Sequence, residues 1–481
     1  MKSEFKSGDR IVGSFGAHTL TADEVLRLND GGKAVLLPDR VVIIDPEIMT
    51  KSGEGVSRAA MAFSELSKVS DDQITFFFRN FATRLEDDVC FAPVSDANAV
   101  DVRSAESRGR SIGRLQITAK MRREMVESAR LWAESPVRKE LVVEHVDHGS
   151  WSVDKVASPL GVVAFVFEGR PNVCVDATGV LRTGNTCVFR IGSDAIGTAQ
   201  AIMQHCLVPA LVEAGLPASS VVLLDESDRS SGFALFSDRR VCLAVARGSG
   251  SAVSDLGFVA QSHGISTSLH GTGGAWMIVG DSVDLDWFAE TMKHSLDRKV
   301  CNTLNVCCVP RSRWNEIATV LVNQLERFSI SSKSPARLHV VGLRDEELDA
   351  LRRDHIEIDG ETESALATEW EWDVVPELFL VVTDSINAAF DLCNRYSPQF
   401  VVSVLTADAA EHESAWHVLN APFVGNGFTR WVDGQYALGR PELGLSNWQS
   451  GRALGRGGIL SGDDIRTFRY RMHQSDPTIH R

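Results

Sequence analysis

Apolar runs of strand length alternate with helical stretches between residues 156 and 269, and this alternation constrains the fold more than any other feature of the chain. Runs that alternate at this spacing are typical of the strands and crossover helices of a doubly wound parallel sheet. One intervening helix, predicted at residues 195–214, is closed by Gly215 and Pro217. The predicted strands cover residues 161–167, 186–190, 221–224, 242–246 and 265–269, and the first of them contains a continuous apolar run at 162–167.

The loop after the first of these strands carries polar side chains where open α/β sheets place their ligands. Residues 168–172 have the sequence Glu-Gly-Arg-Pro-Asn and follow the carboxyl end of the apolar run. Asn172, fixed by the rigid proline before it, is suited to donate a side-chain N–H to an oxyanion. The loop is therefore a candidate part of an active site.

A cysteine at position 301 lies between a cationic pair and a second apolar strand predicted at residues 304–309. Arg298 and Lys299 can stabilise a thiolate over a thiol, and a rigid strand can fix the sulfur in a cleft. The alternative is a buried core cysteine with basic neighbours by chance. Cys301 is thus a candidate nucleophile.

Composition sets bounds on the class of protein. A chain of 481 residues exceeds what one hydrophobic core spans, so two or three domains are expected. Its 49 basic and 64 acidic residues give a net charge of −15, which disfavours nucleic acid and anionic membranes as partners. No apolar stretch is judged long enough for a membrane span of roughly 20 residues, and the amino terminus lacks a signal-peptide core. We expect a cytoplasmic location.

The other cysteines predict packing rather than chemistry. Nine cysteines without Cys-x-x-Cys spacing fit a reducing compartment and predict neither a disulfide framework nor a metal site. Cys307 and Cys308 are neighbours in a predicted strand, so their side chains should point to opposite faces of a sheet. The same packing role is predicted for the cysteines in apolar surroundings, which are Cys174, Cys187, Cys206, Cys242 and Cys393.

Several segments, taken in order, resemble the γ-glutamyl phosphate reductases, a branch of the aldehyde dehydrogenase superfamily. The likeness covers roughly residues 60–470, and the first 54 residues have no counterpart in it. The segments that carry it are 161–177 with its Glu-Gly-Arg-Pro-Asn loop, Arg182-Thr183-Gly184-Asn185, residues 189–195, Ala246-Arg247-Gly248-Ser249-Gly250, His270-Gly271-Thr272-Gly273-Gly274, Val300-Cys301-Asn302-Thr303-Leu304, Asn394-Arg395-Tyr396-Ser397, residues 429–434 and residues 442–446.

The resemblance implies an aldehyde-dehydrogenase-like α/β fold, with a doubly wound cofactor-binding domain, an α/β catalytic domain and a β oligomerisation element. The expected organisation is a hairpin-rich extension at 1–55, an NAD(P)-binding domain at 56–270 with an oligomerisation strand near 141–156, a catalytic cysteine domain at 271–421 and an oligomerisation segment at 422–481. A homodimer or homotetramer is implied.

The resemblance also places a nicotinamide cofactor, although no Gly-x-Gly-x-x-Gly fingerprint follows the first strand. Arg190, Ser193 and Asp194 would lie beside the adenosine ribose, and the helix opened by Gly248-Ser249-Gly250 would lie near the pyrophosphate. NADPH is the expected cofactor, with NADH as the alternative, because Asp194 stands where the family commonly has glutamate. A simple helix cap is the alternative role for Asp194.

The reaction implied is the reduction of an acyl phosphate to an aldehyde through a thioester on Cys301, with Asn172 binding the oxyanion. The segment 269–274 lacks the glutamate with which hydrolytic aldehyde dehydrogenases activate water. Substrate contacts are assigned to Arg170, His270 and Asn302. For Arg170 the alternative is an ion pair with Asp176 or Glu168, and His270 is expected to shape its loop or contact phosphate rather than act as a base.

Departures from the family pattern leave the acyl group open between γ-glutamyl and a relative from specialised metabolism. They are the extension before residue 55, Gly273-Gly274-Ala275-Trp276, and the aromatic segments 369–372 and 447–449. An acyl kinase or an ATP-dependent ligase would supply the substrate. Two other functions stay open: reduction of a coenzyme A or carrier-protein thioester through the same cysteine, and a non-catalytic role in assembly.

Overall fold

The computed structural model describes residues 4–226, 228–432, 437–439, 441–448, 459–461 and 465–479. Part of the predicted loop at 429–434 and the glycine-rich stretch 451–458 lie outside these residues. The chain divides into two compact units. The first unit comprises Met1–Leu269, Gly439–Leu445 and Ile459–Arg481, and the second comprises His270–Leu438 and Ser446–Gly458.

The first unit begins with two short hairpins and continues with four helices in succession. Strands and helices then alternate along the rest of the unit. Its strands are β1 Arg10–Gly13, β2 Gly16–Thr19, β3 Lys33–Leu36, β4 Val41–Ile44, β5 Leu141–Asp147, β6 Trp151–Pro159, β7 Val162–Val166, β8 Thr186–Arg190, β9 Val221–Leu223, β10 Val241–Arg247, β11 Ser266–His270, β19 Glu442–Leu445, β20 Ile459–Ser461 and β21 Arg466–Gln474. Its helices are α1 Ala22–Asn29, α2 Pro46–Leu66, α3 Asp71–Glu86, α4 Asp88–Ser107, α5 Ala119–Glu134, α6 Val173–Thr178, α7 Ile196–Ile202, α8 Val208–Glu213, α9 Ser230–Phe236 and α10 Gly250–Ser262.

The second unit is a parallel α/β unit. Its strands are β12 Ala275–Val279, β13 Leu304–Pro310, β14 Ala336–Val341, β15 Ile356–Gly360, β16 Glu377–Thr383, β17 Val401–Leu405 and β18 Phe423–Gly425. Its helices are α11 Leu285–Ser295, α12 Trp314–Ser332, α13 Asp345–Leu351, α14 Ile386–Tyr396 and α15 Ala409–Val418.

A sheet with the strand order β11-β10-β7-β8-β9 forms the centre of the first unit. β7 pairs in parallel with both β8 and β10, and its residues are buried throughout. The chain runs outward from β7 to β9 and then returns to the other side of β7 with β10, so the strand order reverses between β7 and β10. The doubly wound sheet predicted from the alternating pattern is confirmed.

The crossover from β8 to β9 is a broken helix rather than the continuous one predicted at 195–214. A 3-10 turn, Ser193–Ala195, precedes α7, and a π-helical turn, Met203–Leu207, separates α7 from α8. Pro209 lies in the first turn of α8 and has no backbone N–H, so the regular hydrogen-bond ladder cannot pass through this point.

The same crossover corrects the prediction that no stretch is long and apolar enough for a membrane span. Residues 193–213 meet that length and composition, and half of the apolar window is buried within the protein. Ile202, Leu207 and Leu211 are fully buried in the core shared with β7 and β8. A crossover helix packed on a parallel sheet has this composition for that reason.

The first 55 residues form two hairpins, β1-β2 and β3-β4, in line with the predicted hairpin-rich character. Val35, Leu37 and Ile44 are buried in the same core as one face of the central sheet of the first unit. Farther along the chain, Ser70 and Gln73 form a capping box at the start of α3.

A three-stranded sheet with the order β21-β6-β5 joins the carboxyl-terminal strand to the segment predicted for oligomerisation. Both pairings are antiparallel, and β5 is exposed along its whole length. Exposed apolar side chains on its two outer strands include Leu141, Val142, Val143, Val146, Phe468, Tyr470 and Met472.

The sheet of the second unit has the order β15-β14-β16-β13-β12-β17-β18, and the pairs are parallel. β13 lies at its centre with both faces buried. Cys307 packs into the core on one side of this sheet and Cys308 into the core on the other, which confirms the packing role predicted for both.

Candidate active site

Cys301 lies in a tight turn directly before β13 and is half-buried rather than part of a core. The Thr303 hydroxyl closes this turn, since it accepts the Val300 N–H at 2.8 Å and donates to the Arg298 carbonyl at 2.7 Å. The Thr303 N–H also donates to the Val300 carbonyl at 3.1 Å. The backbone at the sulfur-bearing residue is therefore held rigidly while the side chain stays accessible.

The glycine loop at 271–274 packs directly on this turn. The Gly274 N–H donates to the Cys301 carbonyl at 2.7 Å. A Cβ atom at Gly273 would lie 2.5 Å from the same carbonyl oxygen and 2.8 Å from the Cys301 Cα, which no real Cβ atom can do. The glycine is thus required by the close approach of two backbones.

Asn447 fixes the first half of the glycine loop. Its side chain accepts the Gly271 N–H at 3.2 Å and donates to the Thr272 carbonyl at 2.9 Å. His270 is at the start of the loop, and the centroid of its ring lies 4.8 Å from the centroid of the Phe400 ring. These contacts agree with a loop-shaping role for His270.

Glu369 is a site residue that the sequence did not single out. Its carboxylate accepts the Gly273 N–H at 2.6 Å and forms an ion pair with the Lys299 ammonium at 2.8 Å. The exposed fraction of the side chain is 5% for Lys299 and 17% for Glu369, so the pair is largely removed from water. Lys299 was predicted to stabilise a thiolate as a cation, but its charge is compensated by this carboxylate.

The segment around Glu369 is held from both sides by one amide. The Asn305 side chain donates to the Thr368 carbonyl at 2.9 Å and accepts the Trp370 N–H at 3.0 Å. Asn305 belongs to β13, the strand that follows the cysteine turn. The carboxylate of Glu369 is therefore positioned by the same strand that positions Cys301.

Asn302 is buried next to Cys301, with 1% of its surface exposed. Among the described residues, neither its amide nitrogen nor its amide oxygen has a hydrogen-bond partner. A buried amide without partners costs free energy, so it is usually retained where a ligand supplies them. This observation agrees with the predicted substrate contact.

Six of the other eight cysteines are buried, unlike Cys301, whereas Cys90 and Cys242 are half-buried. Burial raises the pKa of the Cys206 and Cys393 thiols to about 12. It also raises the pKa of other fully buried thiols, namely Cys174, Cys187, Cys307 and Cys308. The packing prediction needs one correction at Cys242, which is half-buried.

In the loop after β7 of the first unit, Arg170 forms an ion pair with Glu168. The Glu168 carboxylate lies 2.7 Å from the arginine Nε. Asp176, the other partner considered for Arg170, instead pairs with Arg247 at 3.0 Å. Asn172 is half-buried and directly precedes α6. The ion pair between Arg170 and Glu168 is therefore present in the structure.

The loops at the carboxyl ends of β7 and β8 meet through two glycines. A Cβ atom at Gly192 would lie 2.7 Å from the Gly169 nitrogen, so the two backbones are in contact. Arg190 is buried, and burial lowers the pKa of its guanidinium, which stays charged. Ser193 and Asp194 follow in the 3-10 turn.

Asp194 does not cap a helix. The residue at the cap of α7 is Ala195, and the Asp194 carboxylate instead binds Arg108 and Arg110. Gly248 is half-buried, and Ser249 precedes α10 in an extended conformation without a side-chain cap. A backbone cradle, a helix start and cationic side chains around it are groups that fit a dinucleotide.

Two curated proteins with sequence similarity to this chain are γ-glutamyl phosphate reductases. The one from Allorhizobium ampelinum is 26% identical over 392 residues, which cover 78% of this chain and 85% of that protein. The one from a Methylobacterium strain is 28% identical over 397 residues, which cover 79% of this chain and 85% of that protein.

A solved structure with a similar fold is the γ-glutamyl phosphate reductase of Thermotoga maritima. It superposes with a TM-score of 0.76 at 22% identity and covers 90% of this chain and 100% of that one. This likeness confirms the predicted aldehyde-dehydrogenase-like α/β fold.

A family model described as the aldehyde dehydrogenase family matches residues 102–347, which is just over half of the chain. The resemblance noted from the sequence motifs is therefore confirmed. The chain belongs to the aldehyde dehydrogenase family, a family of oxidoreductases that use NAD or NADP.

Proposed function

We propose that this protein reduces an acyl phosphate, γ-glutamyl phosphate or a related compound, to the aldehyde with NADPH, through a thioester on Cys301. The names of the two curated relatives support this reaction class. The observation that carries it is the state of the carboxylate at the glycine loop. Glu369 is held between Lys299 and the Gly273 N–H, which leaves it poorly suited to activate water against a thioester.

The reaction begins with attack of the Cys301 thiolate on the acyl carbon. A C–S bond forms, the carbonyl electrons move to oxygen, and the Asn172 side chain donates a hydrogen bond to that oxyanion. Phosphate then leaves with the electron pair of the C–O bond, which gives the thioester. Phosphate is a good leaving group, so it can depart without the strong general acid that would be needed to protonate the amine of an amide substrate.

A reduced nicotinamide, when bound, would supply one hydride to the thioester carbon. The thiohemiacetal alkoxide formed in this way re-forms the C=O bond and expels the cysteine sulfur as a thiolate, and the aldehyde is released. The chain's own contribution is to hold the sulfur, through the hydrogen bond from Gly274 to the Cys301 carbonyl. Asn302, with its unpartnered amide, is proposed to bind the substrate beside the sulfur.

Arg170 and His270 are proposed to contact the phosphate of the substrate. The pairing of Arg170 with Glu168 fixes the orientation of its guanidinium, and a paired arginine retains further N–H donors. His270 is held at the entrance of the glycine loop by its contact with Phe400.

The reverse reaction tests the proposal with stable reagents. Purified protein is incubated with glutamate-5-semialdehyde, inorganic phosphate and NADP, and the absorbance of the reduced nicotinamide is followed. Phosphate-dependent reduction is the expected result. Reduction that depends on coenzyme A instead would favour a thioester reductase, and no turnover with a panel of aldehydes would favour a non-catalytic role.

Variants of the nucleophile separate chemistry from binding. Cys301→Ala should abolish turnover and leave dinucleotide binding within about twofold, because no bond to sulfur can form. Asn172→Ala should lower kcat by roughly a hundredfold to a thousandfold, as expected for loss of one oxyanion donor. A Cys301→Ala variant that stays active would exclude the covalent scheme.

We also propose that the protein forms a homodimer or homotetramer through the sheet β21-β6-β5. Exposed Val146 and Met472 lie on the outer strands of this sheet in register with Val153 of β6, so the three side chains form one apolar row. Light scattering of the wild type and of Met472→Glu tests this: the variant should dissociate at least in part.

We further propose that the protein acts in the cytoplasm and that an acyl kinase or an ATP-dependent ligase supplies its substrate.

A further inference from the structure

The topology of the first unit indicates where the adenosine end of a dinucleotide binds. Open parallel sheets bind ligands outside the carboxyl ends of the strands where the strand order reverses, which here is at β7 and β10. In such folds an acid after the second strand binds the ribose 2′-hydroxyl, and an arginine there accommodates a 2′-phosphate. Asp194 follows β8 and occupies the place of that acid.

Two arginines from a distant segment neutralise Asp194. Arg110 Nη1 lies 2.7 Å and 2.6 Å from the two carboxylate oxygens of Asp194, and Arg108 Nη2 lies 2.9 Å from Asp194 Oδ1. Two cations therefore face one anion, and the local charge is positive. A lone carboxylate here would repel a 2′-phosphate, whereas this arrangement attracts one.

The backbone at the end of α4 sets the positions of both arginines. Gly109 adopts the left-handed conformation with φ of +68°, and the Arg110 N–H bonds back to the Ala105 carbonyl at 3.0 Å. This glycine stop places Arg108 and Arg110 on either side of the turn. Arg108 is further anchored by its Nε, which donates to the Ser104 carbonyl at 3.0 Å.

Helix α4 is itself fixed to the helix that follows Asp194. The Asp101 carboxylate accepts the N–H and the hydroxyl of Thr198, each at 2.7 Å. Gly197 allows this approach, because a Cβ there would lie 2.9 Å from an Asp101 oxygen. The two arginines are thus preorganised beside the loop after β8 rather than free on the surface.

The guanidinium groups retain donors for a ligand. Both hydrogen bonds from Arg110 to Asp194 are donated by Nη1, whereas a guanidinium group carries five N–H donors. The side chains of Arg108 and Arg110 are 41% and 49% exposed, so a ligand can reach them. Arginine binds phosphate with paired N–H donors, which suits this geometry.

We propose that Arg108 and Arg110 form the binding site for the 2′-phosphate of NADPH and make the enzyme prefer NADPH over NADH. Asp194 holds the two guanidinium groups in place for that phosphate. The inference rests on the proposed function in one respect, that a nicotinamide dinucleotide binds to the first unit.

The test uses calorimetric binding to the full-length protein, with 2′,5′-ADP and 5′-AMP as probes that differ at the 2′-phosphate. The wild type should bind 2′,5′-ADP more tightly than 5′-AMP. Arg110→Gln should weaken 2′,5′-ADP binding by roughly tenfold to a hundredfold, as expected for loss of a charge-assisted contact, and change 5′-AMP binding by less than about twofold. In the same way, Arg110→Gln should weaken the binding of NADPH and leave that of NADH nearly unchanged.

Two further variants sharpen the result. Arg114→Gln removes an exposed arginine of the same segment and should leave both affinities unchanged. If Arg110→Gln does not fold, Arg110→Lys keeps the charge without the planar fork and should give a smaller loss in the same direction.

The outcomes also separate this inference from the proposed function. A wild type that prefers NADH, or an Arg110 variant that weakens both probes equally, overturns the 2′-phosphate site while leaving the reductase intact. A wild type that binds neither dinucleotide overturns the proposed function itself.

Discussion

The Lys299 ammonium lies 2.8 Å from the Glu369 carboxylate, and this buried ion pair joins the cysteine turn to a segment 70 residues away in sequence. The other oxygen of the carboxylate accepts the Gly273 N–H, so one side chain connects the turn, the glycine loop and its own segment. Such a pair stabilises the site only as a whole, because either partner left alone is a buried charge without compensation.

We therefore expect Glu369→Gln to lower the free energy of unfolding by about 3 kcal/mol, the cost of breaking a buried pair. The double variant Lys299→Met with Glu369→Gln should be more stable than Glu369→Gln alone, because the uncompensated cation is gone. Urea denaturation of the full chain measures both. Glu371→Gln is the matched control, since Glu371 lies 3.8 Å from Lys299 and is 71% exposed; a Glu369 variant as stable as this control would contradict the prediction.

The two asparagines near the cysteine should respond in opposite ways to loss of the amide. Asn302 is buried and its amide has no partner within the described part of the chain, so Asn302→Leu should leave the free energy of unfolding unchanged or raise it by about 1 kcal/mol. Asn305 holds Thr368 and Trp370, so Asn305→Leu should lower it by about 2 kcal/mol or more.

Activity completes the comparison. Asn302→Leu should lower kcat/KM for the aldehyde by at least roughly tenfold, because the substrate loses a hydrogen-bonding partner. Equal destabilisation by the two leucine variants would show that the Asn302 amide is satisfied within the protein.

Gly273 has no room for a methyl group. Gly273→Ala should displace the Cys301 backbone or the Glu369 carboxylate, the atoms that lie 2.5 Å and 2.7 Å from the added Cβ. We expect about 1–3 kcal/mol of destabilisation and a marked loss of turnover. Gly427→Ala is the control in the same unit, since no atom of the described residues lies within 4 Å of its Cβ position. Thermal unfolding and the rate of alkylation of Cys301 measure the effect, and unchanged values in Gly273→Ala would contradict it.

The sequence predicts what depends on neighbouring residues. The strands of the central sheet of the first unit and β13 are predicted from apolar runs and from glycine and proline positions, and the structure has them within a few residues. Glu369 and the arginine pair could not be found in this way. Arg110 and Asp194 are 84 residues apart, and the packing of α4 on α7 brings them together, a contact that no local pattern encodes.

The same limit applies to the partner of Lys299. A lysine two positions before a cysteine looks like a cation available to the thiolate, because the sequence does not show its partner. The broken helix between β8 and β9 is a different case, since Pro209 is visible in the sequence but an apolar pattern alone predicts one continuous helix.

The buried thiols should make the protein less stable at alkaline pH. Burial raises the pKa of Cys393 from 9.0 to about 12, so the folded state keeps the proton over a range in which the unfolded state loses it. The unfolded state then binds fewer protons, and the free energy of unfolding falls as the pH rises from about 9 towards about 12. This contribution is fully present below pH 9.

Cys393→Ala removes one of these thiols and tests the direction. Between pH 8 and pH 10 its free energy of unfolding should fall by about 1.4 kcal/mol less than that of the wild type, which is the linkage expected for one such group. Urea denaturation at the two pH values measures the difference. Parallel curves for the wild type and Cys393→Ala would show that this thiol already ionises in the folded protein.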